Sequence, residues 1–359
     1  MKLIFAIVTF LSVLSVNAES SPLIQVDNAQ QLTEVRQIVY KDAIIRDVVF
    51  QPNDNRLAVI KLTPQTTLDG EVIFLDRLTL REIGFTDTPM SGTVMTFSPD
   101  GSLFALGNEK GEVRLYDGKT LEERETYQAS SDIVNDLAIS SDNAYLGATF
   151  AIPTLVKQGE IAFRLLTLPE GKEVLSYPLD EDVYGGGVAF DENSQSIFFS
   201  TINMATPSVT VSAFNVKSGE ELAKYENAGS SGHDLLFSPK AKSIFFTDSE
   251  GIQSNLLNGT QNQILGSTQE GESIRNMTLH PTEPILAVGY FKRTPRPDGG
   301  PSATNAGIIR LYNTETGDEL ISIDVPEGAI TSLAFSPDGT LLASGGTDGT
   351  VRLWGVPGE

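Results

Sequence analysis

The sequence contains no cysteine, which excludes disulfides, thiolate metal or redox sites and a lipid-modified cysteine. Histidine and tryptophan are also scarce, since the chain has only His233, His280 and Trp354. Two histidines are too few for a His-rich zinc pattern, and no nucleophile elbow, phosphate-binding loop or haem-attachment motif is present. The sequence therefore favours a protein that binds a partner over one that catalyses a reaction.

Basic residues are few as well. Lysine and arginine total 25 against 47 aspartates and glutamates, for a formal net charge of −22. Such a surface repels nucleic acid and anionic lipid, and it favours basic partners or divalent cations. Solubility alone is the simpler explanation of the charge. We expect no nucleic-acid partner in either case.

Long apolar runs are lacking except at the start of the chain. Lys2 precedes an apolar stretch over 3–16, and small residues at Val16 and Ala18 form a cleavage signal. The stretch is shorter than the roughly 20 residues that cross a bilayer as a helix. We therefore predict a signal peptide over 1–18 and an exported protein, periplasmic or extracellular, without membrane insertion. An uncleaved membrane anchor is the alternative.

What the sequence does have is a repeated unit: an apolar strand, a Pro/Asp/Gly-type turn, a second apolar strand, a loop and a third strand. Proline fixes φ at the first central position of the turn, and Asp and Gly favour the rest of it. Repeats of 40–50 residues built from short strands are typical of propeller blades. Seven units begin their turns at Phe50, Phe97, Ile139, Phe190, Phe237, Leu279 and Phe335.

Two of these units carry a family resemblance. AITSLAFSPDGTLLASGGTDGTVRLWG (329–355) resembles a nearly ideal WD repeat, and GTVMTFSPDGSLFALGNEKGEVRLYD (92–117) is a close second. The other five are degenerate, and the usual Gly-His and Trp-Asp pairs are mostly missing. Only Trp354, Tyr116 and Tyr312 occupy the tryptophan position. The resemblance covers 33–359, and blade stability is expected to depend on apolar packing.

The resemblance implies an all-β fold, a seven-bladed β-propeller of four-stranded antiparallel blades. The last blade ends after its third strand, at 350–355. The segment 33–40 precedes the first full unit and is predicted to pair beside 350–355, because an open ring would leave strand edges unpaired. Residues 19–32 are then an N-terminal linker.

By the same resemblance, the loops between second and third strands lie on the top face of the ring. Four of them are long, at 63–70, 151–159, 203–208 and 291–307. Insertions confined to one face of a repeat protein usually mark its binding face. Neutral loop growth is the alternative, since surface loops lengthen at small cost.

The blade-six loop is the chemically distinctive one. It carries a basic cluster in an acidic chain, stiffened by prolines and flanked by aromatic residues. Arginine binds carboxylates or phosphates in bidentate fashion, and aromatic residues often anchor interfaces. The alternative is that these cations pair with acidic neighbours of the same chain. The candidate binding residues are Tyr290, Phe291, Lys292, Arg293 and Arg296.

A second candidate set surrounds the top mouth of the central channel, as the resemblance implies. Carboxylate and amide oxygens could hold Ca²⁺. However, Asp47, Asp136 and Asp234 come from blades one, three and five, so we expect them to be spread around the channel and to bond nearby backbone. No metal or cofactor is therefore predicted. The set comprises Arg46, Asp47, Asn135, Asp136, His233, Asp234, Arg275 and Asn276.

These observations favour a monomeric scaffold that recognises a protein or peptide through its top face. A calcium-dependent hydrolase similar to the lactonase propellers is the second hypothesis, with its site in the channel. A self-associating matrix protein is the third. His280 stands in the position of a turn serine and is expected to be structural, whereas His233 at the channel mouth resembles a remnant of the Gly-His pair.

Overall fold

The computed structural model describes residues 21–358, apart from 64–69, 84–89, 152–160, 179–182, 204, 229–233, 248–250, 257–261, 294–304 and 327. The predicted signal peptide, residues 1–18, lies outside this range. The described residues form 28 β-strands and one 3-10 turn, Ala29–Gln31. Within them, no helix has the length and apolar character needed to cross a membrane.

The strands form seven four-stranded antiparallel sheets, which are the predicted blades. Blades one to six each use four consecutive strands, ordered from the channel outward. Blade one contains β2 (Ile44–Phe50), β3 (Arg56–Leu62), β4 (Gly70–Asp76) and β5 (Ser91–Gly92). Blade two contains β6 (Val94–Phe97), β7 (Leu103–Gly107), β8 (Glu112–Asp117) and β9 (Glu123–Gln128). Blade three contains β10 (Ile133–Ile139), β11 (Tyr145–Ala151), β12 (Ile161–Thr167) and β13 (Glu173–Pro178).

The second half of the ring follows the same plan. Blade four contains β14 (Val183–Phe190), β15 (Ser196–Asn203), β16 (Ser208–Asn215) and β17 (Glu221–Ala228); blade five contains β18 (Leu235–Ser238), β19 (Ser243–Thr247), β20 (Gly251–Leu256) and β21 (Asn262–Ser267); blade six contains β22 (Glu272–Leu279), β23 (Ile285–Arg293), β24 (Asn305–Asn313) and β25 (Glu319–Val325); blade seven contains β26 (Ile330–Phe335), β27 (Leu341–Gly346), β28 (Thr350–Gly355) and, from the N-terminus, β1 (Thr33–Val39).

Ring closure occurs as predicted. β1 pairs antiparallel with β28, from Thr33 opposite Gly355 to Val39 opposite Thr350. The outer strand of blade seven therefore comes from the start of the chain, and the last blade is tied to both chain ends. This pairing leaves the third strand of blade seven without an exposed edge.

Side-chain hydrogen bonds stabilise the turns between the first and second strands. In blade two, Ser98 Oγ donates to Asp100 (2.6 Å) and accepts from the Leu103 N–H (2.9 Å). Ser336 and Asp338 repeat this arrangement in blade seven. In these two blades the fifth position of the turn has positive φ, which favours glycine, and Gly101 occupies it in blade two with φ +71°.

The core lies between the blades. The middle strands are buried on both faces, so adjacent residues pack against opposite neighbours: Leu341 belongs to the apolar cluster shared with blade one, and Leu342 to the cluster shared with blade six. This is why the strands are continuously apolar in sequence. The one tryptophan, Trp354, donates from Nε1 to Ser344 Oγ at 2.9 Å.

The N-terminal segment before β1 (the 21–32 segment), which falls in the predicted linker 19–32, is packed against the ring. Ile24 and Ala29 are fully buried in the apolar cluster between blades six and seven, and Leu32 is nearly so. The Ile24 N–H donates to Gly339 O at 3.0 Å. The segment therefore fills the groove between these two blades on the face of the short turns.

Candidate binding surfaces at the channel mouth and blade six

The predicted channel-mouth residues lie where the innermost strands are interrupted by β-bulges. The pairing register shifts between Ile45 and Asp47 in blade one, and at the matching places in blades three, four, six and seven. A bulge adds an unpaired residue and re-aims its neighbours. Two consecutive side chains, such as Arg46 and Asp47, can therefore both reach the next blade.

The second residue of each pair accepts hydrogen bonds from the backbone of the following blade. In blade one, Asp47 accepts the Val48 N–H (2.9 Å) and the Met95 N–H of blade two (3.3 Å). These bonds link the innermost strands of successive blades around the channel. The other bonds of this type run from Val188 N to Asp136 (2.8 Å), Met277 N to Asp234 (2.5 Å), Leu333 N to Asn276 (2.6 Å) and Val48 N to Ser332 (3.2 Å).

In blades one, two and three, the first residue of the pair donates to a backbone carbonyl of the following blade. Arg46 Nε donates to Thr93 O at 2.7 Å, and Thr93 Oγ1 donates to Val134 O at 2.8 Å. Asn135 Nδ2 donates to Gly186 O at 3.0 Å. These side chains hold neighbouring blades together, which accounts for the residue types that the sequence places at the channel mouth.

The three aspartates face one channel without converging on a point. Burial raises the pKa of Asp136 to about 7 and that of Asp234 to about 8, and for Asp234 repulsion from Asp136 adds to the effect. Burial also raises the pKa of Asp47. Among the described residues, no group of three His, Asp or Glu side chains is placed to hold a metal ion. The carboxylate oxygens instead accept blade-to-blade hydrogen bonds.

The structure places Tyr290 beneath the blade-six loop, in the core. Its side chain is fully buried, its hydroxyl lies 2.9 Å from that of Tyr312, and the Arg310 guanidinium lies 4.6 Å from its ring centroid. Phe291 is also buried, with Arg275 5.2 Å from its ring centroid. Both aromatic side chains are therefore buried, and their part in binding a partner stays a prediction. They support the base of the loop.

Lys292 fits both interpretations of the basic cluster, binding to a partner and pairing within the chain. Its side chain is 42% exposed, and its Nζ lies 3.9 Å from Glu272 Oε1. An intramolecular partner thus exists for this cation, as the alternative interpretation expected, although much of the side chain faces solvent. The Arg293 side chain, Arg296 and His233 lie outside the described residues.

The buried ion pair below this loop was missed at the sequence level. Glu272 has no exposed side-chain surface and forms two 2.9 Å bonds with Arg310, whose side chain is 6% exposed. The sequence does hold a signal for it, because an arginine recurs at the same position of the third strand, as Arg310 in IIRLYN and as Arg352 in TVRLWG. Arg352 is paired in the same way, with Asp348 and Glu34.

His280 has the structural role expected of it. Its Nδ1 accepts the N–H groups of Thr282 (3.2 Å) and Glu283 (2.9 Å), and its Nε2 lies 3.0 Å from Gly339 O in blade seven. The ring thus replaces the turn serine of other blades and also bridges two blades. Burial lowers the pKa of His280, so the neutral ring is favoured.

The geometry defines a seven-bladed β-propeller, and comparison with solved structures agrees. The β-propeller domain of Cps50 (Swd1) from Myceliophteria thermophila superposes with a TM-score of 0.68 over 90% of this chain and 99% of that domain, at 13% identity. This likeness concerns the fold.

The repeats identify the class more closely. Residues 317–355 match the model of the WD domain, G-beta repeat. This match and the seven-bladed fold support the WD-repeat β-propeller that the sequence predicts.

Curated relatives match over parts of the chain. The serine-threonine kinase receptor-associated protein of Gallus gallus is 30% identical over 146 residues, which cover 40% of this chain and 33% of that protein. Its Homo sapiens counterpart is 51% identical over 84 residues, 23% of this chain and 19% of that protein. Eukaryotic translation initiation factor 3 subunit I of Meyerozyma guilliermondii is 26% identical over 120 residues, 33% and 34% of the two chains. The matches thus span about a third or less of these relatives.

Proposed function

We propose that this protein is a non-enzymatic scaffold, exported from the cell, that recognises a protein or peptide through the face carrying its long loops. The observation that carries the proposal is the asymmetry of the ring. Its second strands end, and its third strands begin, on the face of the channel-mouth bulges, and the long connections at 63–70, 151–159, 203–208 and 291–307 all join these ends.

Two features support binding over catalysis. The channel-mouth carboxylates and amides are engaged in blade-to-blade bonds, so their arrangement is explained by ring assembly. The relatives' names describe a receptor-associated protein and a subunit of a factor, which are roles of association. The blade-six loop is the first candidate contact, because Tyr290, Phe291 and the Glu272–Arg310 pair give it a rigid, buried base.

The test is an affinity capture with tagged protein 19–359 from extracts of its own source. The test variant has residues 294–304 replaced by Asp-Gly, which keeps β23, β24 and the Lys292–Glu272 pair. The matched control replaces 152–160 in blade three in the same way. A partner retained by the wild type and the control but lost by the test variant supports the proposal. Equal capture by all three forms, or capture by none, counts against it.

Export and oligomeric state are each tested by a separate measurement. Expressed with its full N-terminus in an export-competent host, the protein is expected outside the cytoplasm with Glu19 as its first residue. Light scattering of the mature form is expected to give a monomer. Cytoplasmic retention with an intact Met1, or a stable oligomer, would contradict the respective part of the proposal.

A further inference from the structure

Arg275 of blade six departs from the bonding pattern of the channel mouth. The other described donor side chains at the first position of a channel-mouth pair bond a carbonyl of the next blade; they are Arg46, Thr93, Asn135 and Thr331. Arg275 is exposed instead, and its guanidinium carbon lies 5.2 Å from the ring centroid of Phe291. Among the described residues, this guanidinium has no hydrogen-bond or carboxylate partner.

The charge of Arg275 is not balanced by its neighbour in the chain. The other arginine at this position, Arg46, is followed by Asp47. Burial raises the pKa of that carboxyl, and the charge of Arg46 opposes the increase. Arg275 is followed by the neutral Asn276, whose Oδ1 accepts the Leu333 N–H at 2.6 Å. The arginine of blade one is therefore engaged within the propeller, whereas that of blade six can engage a partner.

Phe291 positions the guanidinium of Arg275. The Phe291 side chain is only 9% exposed, so the surrounding blade fixes its aromatic ring. A cation over an aromatic face is attracted by the ring quadrupole. A guanidinium in such a contact still presents N–H groups that match the two oxygens of a carboxylate. The pair therefore presents a cation that loses less side-chain entropy on binding than a mobile arginine would.

Arg275 and Phe291 lie at a step between blades six and seven. Ala287 packs with Ile330 of blade seven, and Phe291 points to the same side of β23 because side chains alternate along a strand. β23 has nine residues and β27 has six, although both begin after the equivalent turn. At about 3.3 Å per residue, β23 extends about 10 Å further on the long-loop face. The turn 347–349 therefore forms a low ledge beside blade six (the blade-seven ledge).

The described carboxylates at this end of blade six are not placed to pair with Arg275. Glu272 has no exposed side-chain surface, and its two oxygens bond Arg310 at 2.9 Å. Glu270 lies in the turn that arrives from blade five, whereas the Arg275–Phe291 contact is on the side of blade seven. Asp324 is on β25, the outermost strand, and Arg275 is on β22, the innermost. A carboxylate from a partner would supply the missing counter-charge.

We infer that Arg275 binds an aspartate or glutamate side chain of a partner segment that lies along the blade-seven ledge. A carboxylate suits this site better than a phosphate group, because one guanidinium balances one negative charge and not two. The inference rests on the function proposed above, since the ledge belongs to the long-loop face, and it adds the chemistry of the partner.

A library of random linear peptides tests the inference without the natural partner. The peptides are displayed with their C-termini fused to the carrier, so side chains supply their only carboxylates. Selection on immobilised protein 19–359 is expected to enrich peptides with Asp or Glu at one fixed position. In a selected peptide, replacing that residue by Asn or Gln is expected to weaken binding at least tenfold, as measured by fluorescence anisotropy at low salt.

Two protein variants locate the bound carboxylate. Arg275→Glu is expected to bind the selected peptide at least tenfold more weakly than the wild type, and to bind the peptide with lysine at the fixed position more tightly than the wild type does. Arg81→Glu is the matched control. Arg81 is also exposed, its side chain has no acidic partner among the described residues, and it follows a turn on the opposite face. This control is expected to bind as the wild type does, with both variants melting at the wild-type temperature.

The outcomes separate this inference from the proposed function. Selected peptides without a recurrent carboxylate, or equal binding of a selected peptide to the wild type and Arg275→Glu, would overturn the inference and leave the proposed function standing. A selection that enriches no peptide would also overturn the inference. The affinity capture decides the proposed function separately, because it uses the natural partner and the replacement of 294–304.

Discussion

At the residue scale, the Glu272–Arg310 ion pair in blade six is the interaction in which each charge most needs its partner. Both side chains are almost completely removed from solvent, and hydrogen bonds to Arg310 hold the pKa of Glu272 below its usual range against the opposing effect of burial. A buried charge is tolerated only with its partner in place. The pair therefore fixes the relation of β22 to β24 beneath the long loop.

Glu272→Ala is expected to lower the free energy of unfolding by about 3 kcal/mol, because it removes both 2.9 Å hydrogen bonds of the buried Arg310 guanidinium and leaves it only the more distant, partly exposed Glu319 at 3.7 Å. Chemical denaturation measures the change. The matched control is Glu71→Ala, which removes an exposed partner of Lys61 and should cost about 0.5 kcal/mol. Equal losses of unfolding free energy in the two variants would show that the buried pair stabilises the fold no more than the exposed pair does.

His280 gives a pH-dependent prediction at the same scale. Its pKa is lowered in the fold because the ring is buried, although the bond to Gly339 O and the carboxylates of Glu283 and Asp338 oppose this effect. The unfolded chain therefore binds the proton more readily, and the contribution of His280 to stability falls as pH drops below about 6.5, the value of an unperturbed histidine. His280→Ser, which restores the usual turn residue, should reduce this loss between pH 6.5 and 5. Identical slopes for wild type and variant would refute the assignment.

At the element scale, closure depends on β1, which contributes one buried side chain to the apolar cluster between blades seven and one. Val35 is buried in it, whereas Gln37, two residues later, is exposed. The bulge between Glu34 and Arg36 interrupts the alternation. The sequence alone does not show which residue of TEVRQIVY faces inward after such a shift.

Val35→Asp is expected to destabilise the protein by about 3 kcal/mol, since it buries an unpaired charge and removes apolar packing. Gln37→Asp, on the exposed face of the same strand, should change stability by less than about 0.5 kcal/mol. Thermal melts of both variants test the register of β1. A severe loss with Gln37→Asp and none with Val35→Asp would mean that β1 pairs one residue out of register.

At the scale of the whole molecule, the channel carboxyls couple ring stability to pH. Burial raises the pKa of Asp136 to about 7 and of Asp234 to about 8, above the ordinary aspartate value of 3.8. The folded state therefore holds protons that the unfolded chain has released. The stabilisation from protonation is complete below about pH 4 and is lost as pH rises to about 8.

The double variant Asp136→Asn, Asp234→Asn is expected to show a weaker decline of unfolding free energy between pH 5 and 8 than the wild type. Denaturation series at several pH values measure the slopes. Asp100→Asn serves as the control, because hydrogen bonds from its turn lower its pKa to about 2 and place its titration outside this window. A slope in the double variant as steep as in the wild type would mean that the channel carboxyls titrate normally.

The sequence by itself determined the seven blades, the order of their strands and the closure of the ring. Repeated short-range signals carry these features: apolar strands of fixed length, turn residues with local hydrogen bonds, and a surplus strand at one end matching a missing strand at the other. The role of His280 was also predictable, because it stands in a turn position whose chemistry is local.

Only the tertiary structure decided which residues of one blade contact which residues of the next. Tyr290 and Phe291 flank a loop in sequence yet are buried, because β23 continues as a paired strand to Arg293 and carries them into the core. The 21–32 segment shows no repeat pattern, and its place between blades six and seven depends on surfaces contributed by distant residues.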